Sequence, residues 1–269
     1  MLKTIDPLCS NLEIRKKLSP EELMMIKRSL LNNMGPNETW TGVGTNKQLA
    51  YATHGMVRFF GKFPPPIASF LIEKYTKPGQ RVLDPMCGSG TTGVECLLKN
   101  RKCELRDVNP LMLLLAAGKS TKLGQKKVLN TFLKIKNKYK PIKINFSTST
   151  FSGLKDPDHW FLKETSNSLF GIKSLIDEIQ DNSLRNFFKV CFIGIVRRVS
   201  RATTQQGRLF LDVNTAESDS FPFFEKKVLE SAEKISKIPI PKEPINIKYG
   251  NLLLKESTLP QKANLIILH

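Results

Sequence analysis

The stretch "VLDPMCGSGTTG", residues 82–93, constrains the fold of this chain more than any other part of the sequence. Apolar residues run into an aspartate, glycines follow at positions 88 and 90, and two threonines open a segment of helical character. A glycine-rich turn between strand and helix binds dinucleotides, triphosphates or nucleosides, or is simply a tight turn that exploits positive φ. This loop contains no Gly-Lys-Ser/Thr of a Walker motif; its glycines fit the spacing G-x-G-x-x-G, but that match alone is weak and the preceding Asp-Pro does not belong to the dinucleotide fingerprint.

Two acids narrow the choice of ligand. Asp84 ends the first predicted strand, and Asp107 ends the second, where an acid about 20 residues further on typically binds a ribose diol. A carboxylate at Asp84 repels phosphate but suits a cationic ligand. The pair therefore favours S-adenosylmethionine (SAM), which carries an ammonium and a sulfonium group and no phosphate.

The sequence around the loop alternates strand and helix. "RVLDPM" and "KCELRDVN" predict buried strands, "TTGVECLLKN" and "PLMLLLAAGKS" predict helices, and a further helix is expected from about Pro66 to Tyr75. "SPEELMMIKRSLLNN" near the N-terminus has the capping pattern of another helix. This order predicts an α/β fold built on a right-handed β-α-β-α unit.

The stretch from "KFPPPIASF" to "PLMLLLAAGKS" resembles the amino-methylating DNA methyltransferases of restriction-modification type, which modify N6 of adenine or N4 of cytosine. The resemblance implies a Rossmann-like SAM-dependent methyltransferase sheet, a Lys-Phe-Pro element that completes the methionine pocket, and an Asp-x-Asn-Pro segment at the ribose. Met86 replaces the family's usual phenylalanine, and Arg106 stands where a glycine is usual. The cofactor-binding residues that the resemblance implies are Lys62, Phe63, Pro64, Asp84, Pro85, Met86, Cys87, Gly88, Ser89, Gly90, Thr91, Thr92, Asp107, Val108, Asn109 and Asn251.

Two late segments, "IKYGNLLL" and "ANLIILH", resemble the family's third and fourth strands. Asn251 takes the adenine contact in this interpretation, with a simple Gly-Asn turn as the equal alternative. His269 corresponds to the first, catalytic member of a tetrapeptide (Asp/Ser/Asn/His)-Pro-Pro-aromatic that positions the target amine and stacks on the flipped base. The sequence contains nothing beyond that first member, so the expectation is an incomplete sheet of the early strands plus strand four. Such a chain is expected to be inactive alone, as a truncated or disrupted protein or as one half of an enzyme whose second chain carries the missing catalytic part.

Between the early and late strands the alternation stops. Residues 119–150 carry nine lysines and no acid, and the apolar spacing that follows is helical. The predicted organisation is an N-terminal helical and loop segment (1–50), a SAM-binding α/β half (51–118), a helical insertion (119–244), and returning strands (245–269).

The charge of the chain favours a polyanionic partner. Lysines and arginines number 42 against 24 acids, a formal charge of +18, and each neutralised phosphate releases counterions. In this motif order the insertion commonly carries target recognition. "RATTQQGRLF" is interpreted as an exposed basic loop, and "RRVSRATTQQGR", which overlaps it, is the best candidate for DNA contact. The predicted nucleic-acid-binding residues are Arg197, Arg198, Arg201 and Arg208, and a solvated helix end is the alternative for each. Double-stranded DNA is the expected partner; an RNA amino-methyltransferase and a non-catalytic SAM- or nucleic-acid-binding remnant or subunit are the alternative functions.

Other classes of site find no support in the sequence. The five cysteines form no CxxC pair and the three histidines lie far apart, so no metal site is predicted. The apolar stretches are shorter than the roughly 20 residues of a membrane span, and the N-terminus lacks the apolar core of a signal peptide. The chain is expected to be cytoplasmic.

Overall fold

A computed structural model of the chain describes residues 48–58, 61–144, 156–205, 208–241, 243–251 and 263–268. The chain divides into two compact units. The first consists of Met1–Gly55, Phe59–Ala116 and Ile238–His269, and the second of Met56–Arg58 and Ala117–Lys237. These boundaries differ by a few residues from the sequence-based ones at 118 and 244. The helix predicted at "SPEELMMIKRSLLNN" lies outside the described residues.

The described elements follow one another in the order that the alternation predicted, with additions in the second unit. Two short 3₁₀ turns come first, Gln48–Ala50 and Ala52–Gly55. The helices are α1 Pro65–Tyr75, α2 Thr91–Leu98, α3 Pro110–Ser120, α4 Gln125–Lys138, α5 Pro157–Trp160, α6 Lys163–Asp177, α7 Asn182–Val199 and α8 Phe221–Ser236. The strands are β1 Arg81–Asp84, β2 Lys102–Asp107, β3 Ala202–Gln205, β4 Arg208–Leu211, β5 Asn246–Tyr249 and β6 Leu265–Ile266.

The first unit is built on a parallel sheet with the strand order β5-β2-β1-β6. The late strand β6 pairs with β1 (Val82 opposite Leu265), and β5 pairs with β2 on the other side (Tyr249 opposite Asp107). The order of strands therefore reverses beside β1, which creates a switch point at its carboxyl end. The predicted Rossmann-like sheet of early strands plus strand four is confirmed.

Apolar side chains of the sheet pack into the core of the first unit. Val82, Leu105 and Ile267 share a core cluster with Ile72 of α1 and Ala116 of α3. A strand covered on both faces reads as a continuous apolar run, which is why "RVLDPM" could be identified as buried. Three thiols complete the same cluster: Cys87, Cys96 and Cys103.

The second unit is mainly helical, and aromatic rings fill its interior. Phe132 of α4 stacks on Phe221 of α8 with ring centroids 6.0 Å apart, and Phe188 of α7 lies 6.3 Å from Phe224. The residues of α4 that the helical spacing placed on the apolar side are buried or half-buried, namely Val128, Leu129, Phe132 and Ile135. Amphipathic spacing therefore located the buried face of this helix correctly.

The sequence interpretation of "RATTQQGRLF" as a loop is wrong. The described residues on either side of positions 206–207 form two paired antiparallel strands, β3 and β4, with Thr203 opposite Phe210 and Ala202 opposite Leu211. Polar and apolar residues do not alternate clearly in this segment, so the sequence lacks the period of two that identifies a strand, and the apolar residues of β4 do not lie on a buried face.

No helix within the described ranges is long and apolar enough to cross a bilayer.

Candidate functional site

The two predicted cofactor acids lie at the carboxyl edge of the parallel sheet. Asp84 is the last residue of β1 and Asp107 the last of β2, and the register places Asp84 opposite Leu105. Because parallel strands end at the same edge, the two acids flank the turn that joins β1 to α2. Asp84 is fully buried, and its Oδ1 accepts a hydrogen bond from the backbone N–H of Met86.

Asp107 holds the glycine loop directly. Its Oδ2 accepts a hydrogen bond of 2.9 Å from the backbone N–H of Gly88, and its Oδ1 accepts one of 2.9 Å from Asn109. The side chain of Asn109 in turn accepts from the N–H of Leu111 in the first turn of α3. One carboxylate therefore ties the loop to the end of β2, and each of its oxygens keeps acceptor capacity for a ligand hydroxyl.

Gly90 occupies a position that only glycine fits. Its φ is +80°, in the left-handed region, and a Cβ on it lies 2.7 Å from both Cα and Cβ of Ala116 in α3. Gly88 also has a positive φ of +48°, but a Cβ there meets no atom within 4 Å. The first glycine is therefore needed for backbone conformation alone, and the second also for the close packing of loop against helix.

The start of α2 presents buried hydroxyl groups. Ser89 Oγ, Thr91 Oγ1 and Thr92 Oγ1 are buried, and none has a hydrogen-bond partner among the described residues. Buried polar groups are normally satisfied, so three such atoms at one loop fit a polar ligand. The site also contains the carboxylates of Asp84 and Asp107, and "DPMCGSGTT" contains no basic residue. This combination of groups suits a cationic nucleoside better than a phosphate.

The Lys-Phe-Pro element lies at the start of α1. Pro64 precedes the helix, and Phe63 packs against the core cluster that contains Cys87 of the loop. Lys62 Nζ donates a hydrogen bond of 3.4 Å to the backbone oxygen of His54, and partial burial lowers the pKa of this lysine. The structure therefore brings Phe63 and the loop onto one cluster.

A buried hydrogen-bond network behind the loop was missed from the sequence. Glu95 of α2 receives a hydrogen bond of 2.6 Å from Tyr51 Oη, and its Oε1 lies 2.9 Å from His54 Nε2. His54 and Glu95 are both almost completely buried. The network fastens the 3₁₀ turn Ala52–Gly55 to the helix that begins at the loop. A glutamate on the apolar face of "TTGVECLL" was the available signal, because a buried carboxylate requires a partner.

Arg106 stands on the opposite face of β2 from the core. Its guanidinium forms a buried pair with Glu104, with Nη2 2.6 Å from Oε1, and Asn246 Nδ2 donates to Oε2 of the same glutamate at 3.2 Å. Its backbone oxygen accepts from the N–H of Cys87 at 2.9 Å. The guanidinium group of Arg106 thus pairs with a glutamate of its own strand. It does not displace Asp107 from the glycine loop.

The remaining cofactor candidates differ in position. Pro85 and Cys87 are buried, whereas Met86 and Val108 are each 51% exposed. Asn251 is half-buried and follows Gly250, whose N–H donates to the backbone oxygen of Asp107 at 3.2 Å. It therefore lies at the edge shared with Asp107, whereas His269 lies outside the described residues.

The predicted nucleic-acid residues gather in the second unit. Arg197 and Arg198 end α7, Arg201 precedes β3, and all three line a cleft of about 750 Å³. Arg58, from a segment the sequence interpretation did not consider, lines the same cleft. Arg208 begins β4.

The first unit has the Rossmann-like fold of a methyltransferase: a parallel sheet with a switch point beside β1, an acid at the end of each of the strands β1 and β2, and a glycine loop between them. Comparison with known proteins agrees with that class. Residues 13–116 match the N6/N4 DNA methylase family. This part of the chain is therefore similar to the DNA amino-methyltransferases of restriction-modification systems, as the resemblance implied, and the match covers the glycine loop and both acids.

Individual relatives are Type II methyltransferases. M.MvaI of Kocuria varians is 29% identical over 154 residues, which is 54% of this chain and 34% of that protein. M.MjaII of Methanocaldococcus jannaschii is 28% identical over 107 residues, 40% of this chain and 20% of the relative. M.XycI of Xanthomonas campestris pv. cyanopsidis is 42% identical over 60 residues, 22% of this chain and 20% of the relative. The aligned part thus spans about a third of the length of M.MvaI and a fifth of the other two.

Proposed function

We propose that this chain provides the SAM-binding part of a DNA amino-methyltransferase that modifies N6 of adenine or N4 of cytosine. The observation that carries the proposal is the position of Asp84 and Asp107 on either side of the glycine loop. The buried hydroxyl groups of this loop have no hydrogen-bond partner among the described residues. The relationship to Type II methyltransferases supports DNA as the substrate and SAM as the methyl donor.

The residues of the first unit have distinct roles in this proposal. Asp84 provides negative charge for the cationic methionine part, and Asp107 accepts hydrogen bonds from the ribose hydroxyls while it holds Gly88. Lys62 and Phe63 complete the methionine pocket, and Asn251 contacts the adenine ring. Bound SAM supplies a methyl group on a positively charged sulfur, which makes that carbon an electrophile.

The remaining catalytic requirement is the position of the acceptor. Transfer needs the lone pair of the exocyclic amine in line with the methyl group, so most of the catalytic effect is the alignment of two reactants. A base inside a duplex is unreachable, and amino-methylation therefore requires the base to leave the stack. His269, as first member of the tetrapeptide, is the proposed acceptor for a hydrogen of that amine.

Calorimetry of SAM binding to the purified chain tests the cofactor assignment. Asp84→Ala and Gly88→Val are expected to abolish detectable binding, the first by loss of charge and the second because a β-branched residue does not tolerate positive φ. Gly124→Val and Asp212→Ala are the matched controls: Gly124 has an ordinary φ of −73° and open space around it, and Asp212 is an exposed acid of the second unit. Unchanged SAM affinity in the Asp84 and Gly88 variants contradicts the assignment.

Competition between nucleic acids tests the substrate. A duplex DNA is expected to displace labelled DNA from the chain at lower concentration than an RNA hairpin of the same sequence. Stronger displacement by RNA at every salt concentration supports the RNA amino-methyltransferase instead.

A further inference from the structure

The 3₁₀ turn Ala52–Gly55 is held to α2 through one oxygen atom. Tyr51 Oη donates to Oε1 of Glu95 at 2.6 Å, and Nε2 of His54 lies 2.9 Å from the same oxygen. Because a carboxylate only accepts hydrogen bonds, Nε2 is the ring nitrogen of His54 that carries a hydrogen. The two rings are also in T-shaped contact, with centroids 4.9 Å apart. Tyr51 and His54 are thus oriented by the same carboxylate and by each other.

The backbone between Tyr51 and His54 is strained. Ala52 has a φ of +44°, in the left-handed region that residues with a Cβ avoid. The N–H of His54 donates to the backbone oxygen of Tyr51 at 3.1 Å and closes the turn. Strain of this kind persists only where the surrounding structure fixes the conformation, and it is common at functional sites. The hydrogen bonds to Glu95 lie on both sides of Ala52, so they stabilise a conformation that is otherwise unfavourable.

The turn presents the backbone oxygen of His54 to Lys62. Lys62 Nζ donates to this oxygen at 3.4 Å, and within the described residues no carboxylate pairs with the ammonium group. The lysine is half-buried, and burial lowers its pKa because the charged form loses hydration. An ammonium group that keeps two further N–H donors suits an anionic group of a ligand.

The same network reaches the helix that begins at the glycine loop. Glu95 lies four residues after Thr91, the first residue of α2, so the two side chains share one face of the helix about 6 Å apart along its axis. Phe63, the neighbour of Lys62, packs against the core cluster that contains Cys87 of the loop. The Lys-Phe-Pro element is therefore connected to the loop twice, through Phe63 and through Glu95.

We propose that Tyr51, His54 and Glu95 are positioning residues of the cofactor site, which hold the turn so that Lys62 presents its ammonium group to the carboxylate of bound SAM. This inference rests on the proposed function, because it assumes that SAM binds at the glycine loop. The methionine part of SAM carries an ammonium group and a carboxylate, and the proposed function assigns the negative charge of Asp84 to its cationic groups. The carboxylate then requires a cation, which Lys62 provides. The three network residues act through Lys62 and contact no reacting atom.

The experiment compares two ligands by calorimetry with the full chain. They are SAM and decarboxylated SAM, which keeps the adenosine, the sulfonium and the amine but lacks the carboxylate. The unaltered chain is expected to bind SAM at least about tenfold more tightly, because a hydrogen bond between charged groups is lost with the carboxylate. Lys62→Met is expected to abolish this preference. Equal affinities of the unaltered chain for the two ligands overturn the proposal.

Variants of the network test the positioning role. Glu95→Ala is expected to reduce the preference for SAM to less than about threefold, because the turn is no longer held, with a smaller change in the affinity for decarboxylated SAM. Glu95→Gln keeps an acceptor oxygen for both donors and is expected to retain the preference. In a chain that already carries Lys62→Met, Glu95→Ala is expected to leave the ratio of affinities unchanged. An unaltered preference in Glu95→Ala, or equal weakening of both ligands, overturns the proposal.

A milder variant tests the same role without dependence on the stability of Glu95→Ala. Tyr51→Phe removes one hydrogen bond to Glu95 and keeps the contact with His54. It is expected to lower the preference for SAM by roughly two- to threefold. A preference equal to that of the unaltered chain contradicts the positioning role.

Matched controls lie in the same unit. Arg101, before β2 at the opposite edge of the sheet, donates to Oγ1 and to the backbone oxygen of Thr76 at 3.0 and 2.7 Å. Arg101→Ala is therefore expected to lower the stability of the chain and to keep the preference for SAM. Ala52→Gly adopts a positive φ without strain, leaves the network intact and is also expected to keep the preference. A control that lowers the preference shows that it follows general stability and contradicts the proposal.

The unaltered chain distinguishes the two levels of inference. If it binds SAM and decarboxylated SAM with equal affinity, the cofactor assignment stands and the positioning proposal is wrong. If it binds neither ligand, the proposed function is overturned and the positioning proposal falls with it.

Discussion

The carboxylate of Asp107 accepts a hydrogen bond of 2.9 Å from the backbone N–H of Gly88, 19 residues earlier in the chain. The residue to which the sequence assigned a ribose contact is therefore also the one that fixes the loop. Because the second oxygen binds Asn109, the same side chain orders two turns at the carboxyl edge of the sheet. The shape of the glycine loop and the proposed ribose contact thus depend on one residue.

Asp107→Asn is expected to weaken SAM binding by roughly 10- to 100-fold. An amide offers one acceptor oxygen in place of two, so either Gly88 or Asn109 loses its partner, and a hydrogen bond to a charged group contributes about 1.5–3 kcal/mol. Asp107→Ala removes both bonds and is expected to weaken binding further. Calorimetry gives the affinities, and an Asp107→Asn chain with unaltered SAM affinity shows that neither bond matters for the loop.

The two loop glycines are expected to differ in sensitivity to alanine. Gly88→Ala has room for its Cβ and is expected to destabilise the chain by about 1 kcal/mol through positive φ alone. Gly90→Ala adds a contact of 2.7 Å with Ala116 in α3, so its effect on the free energy of unfolding is expected to be at least about twice as large. Denaturant unfolding measures both, and equal effects would mean that α3 moves aside without resistance.

The buried partners of Glu95 are expected to stabilise the first unit unequally. Glu95→Ala leaves His54 Nε2 buried without its acceptor and is expected to reduce the free energy of unfolding by about 2–4 kcal/mol. Tyr51→Phe removes one hydrogen bond and leaves the pair with His54, for an expected loss of about 0.5–1.5 kcal/mol. Chemical denaturation distinguishes the two, and a larger effect for Tyr51→Phe contradicts this ranking.

Alkaline pH gives a second measurement on Tyr51. Burial, and then the nearby charge of Glu95, raises the pKa of this phenol above its ordinary value of 10.0. A group whose pKa is raised on folding contributes stability that is fully present below its unfolded pKa and is lost as the pH rises above it. Stability is therefore expected to fall more steeply above pH 10 in the unaltered chain than in Tyr51→Phe, when unfolding is followed across that range. Parallel pH profiles would show that the phenol ionises as easily in the folded chain as in the unfolded one.

Asp181 is expected to act as a cap and as a charge at the start of α7. Its Oδ1 accepts from the N–H groups of Ser183 and Leu184, and its Oδ2 binds Lys127 at 2.7 Å. Asp181→Ala is expected to cost about 1 kcal/mol, and Asp181→Asn, which keeps a capping oxygen, clearly less.

The pH dependence of the Asp181 effect has a definite sign. The hydrogen bond from Lys127, and then the one from the Leu184 N–H, lower the pKa of this carboxyl below 3.8. The stabilisation is therefore present above pH 3.8 and is lost as the pH falls through the folded pKa. Acid titration of the unfolding free energy should show the difference between the unaltered chain and Asp181→Asn shrinking below that pH; a constant difference excludes the charge contribution.

The sequence predicted the parts of the fold whose patterns are local. The strand that ends at Asp84, the glycine turn and α2 each have a distinctive period or composition, and their order required a parallel sheet. The assignment of β6 as the fourth strand of the sheet followed from the family resemblance. The position of the two acids at one edge then followed from the geometry of parallel strands.

Other features depended on contacts between distant segments, which no local pattern reveals. Tyr51 and Glu95 are 44 residues apart, and Arg58 joins Arg197 in one cleft only through the fold of the second unit. The hairpin at Ala202–Leu211 was missed because strands are recognised by a buried face, and this one has apolar residues exposed on both sides.

Arg106, which stands where the family usually has a glycine, lies beside a glycine that follows the neighbouring strand β5. A Cβ added to Gly250 lies 3.0 Å from Cδ and 3.3 Å from Cβ of Arg106, so the arginine occupies the space that a side chain at 250 needs. Side chains at positions 106 and 250 would therefore occupy the same space beside the sheet. Relatives that keep glycine at the position of Arg106 are free to carry a side chain at the position of Gly250, and the two sites should therefore vary together in size across the family.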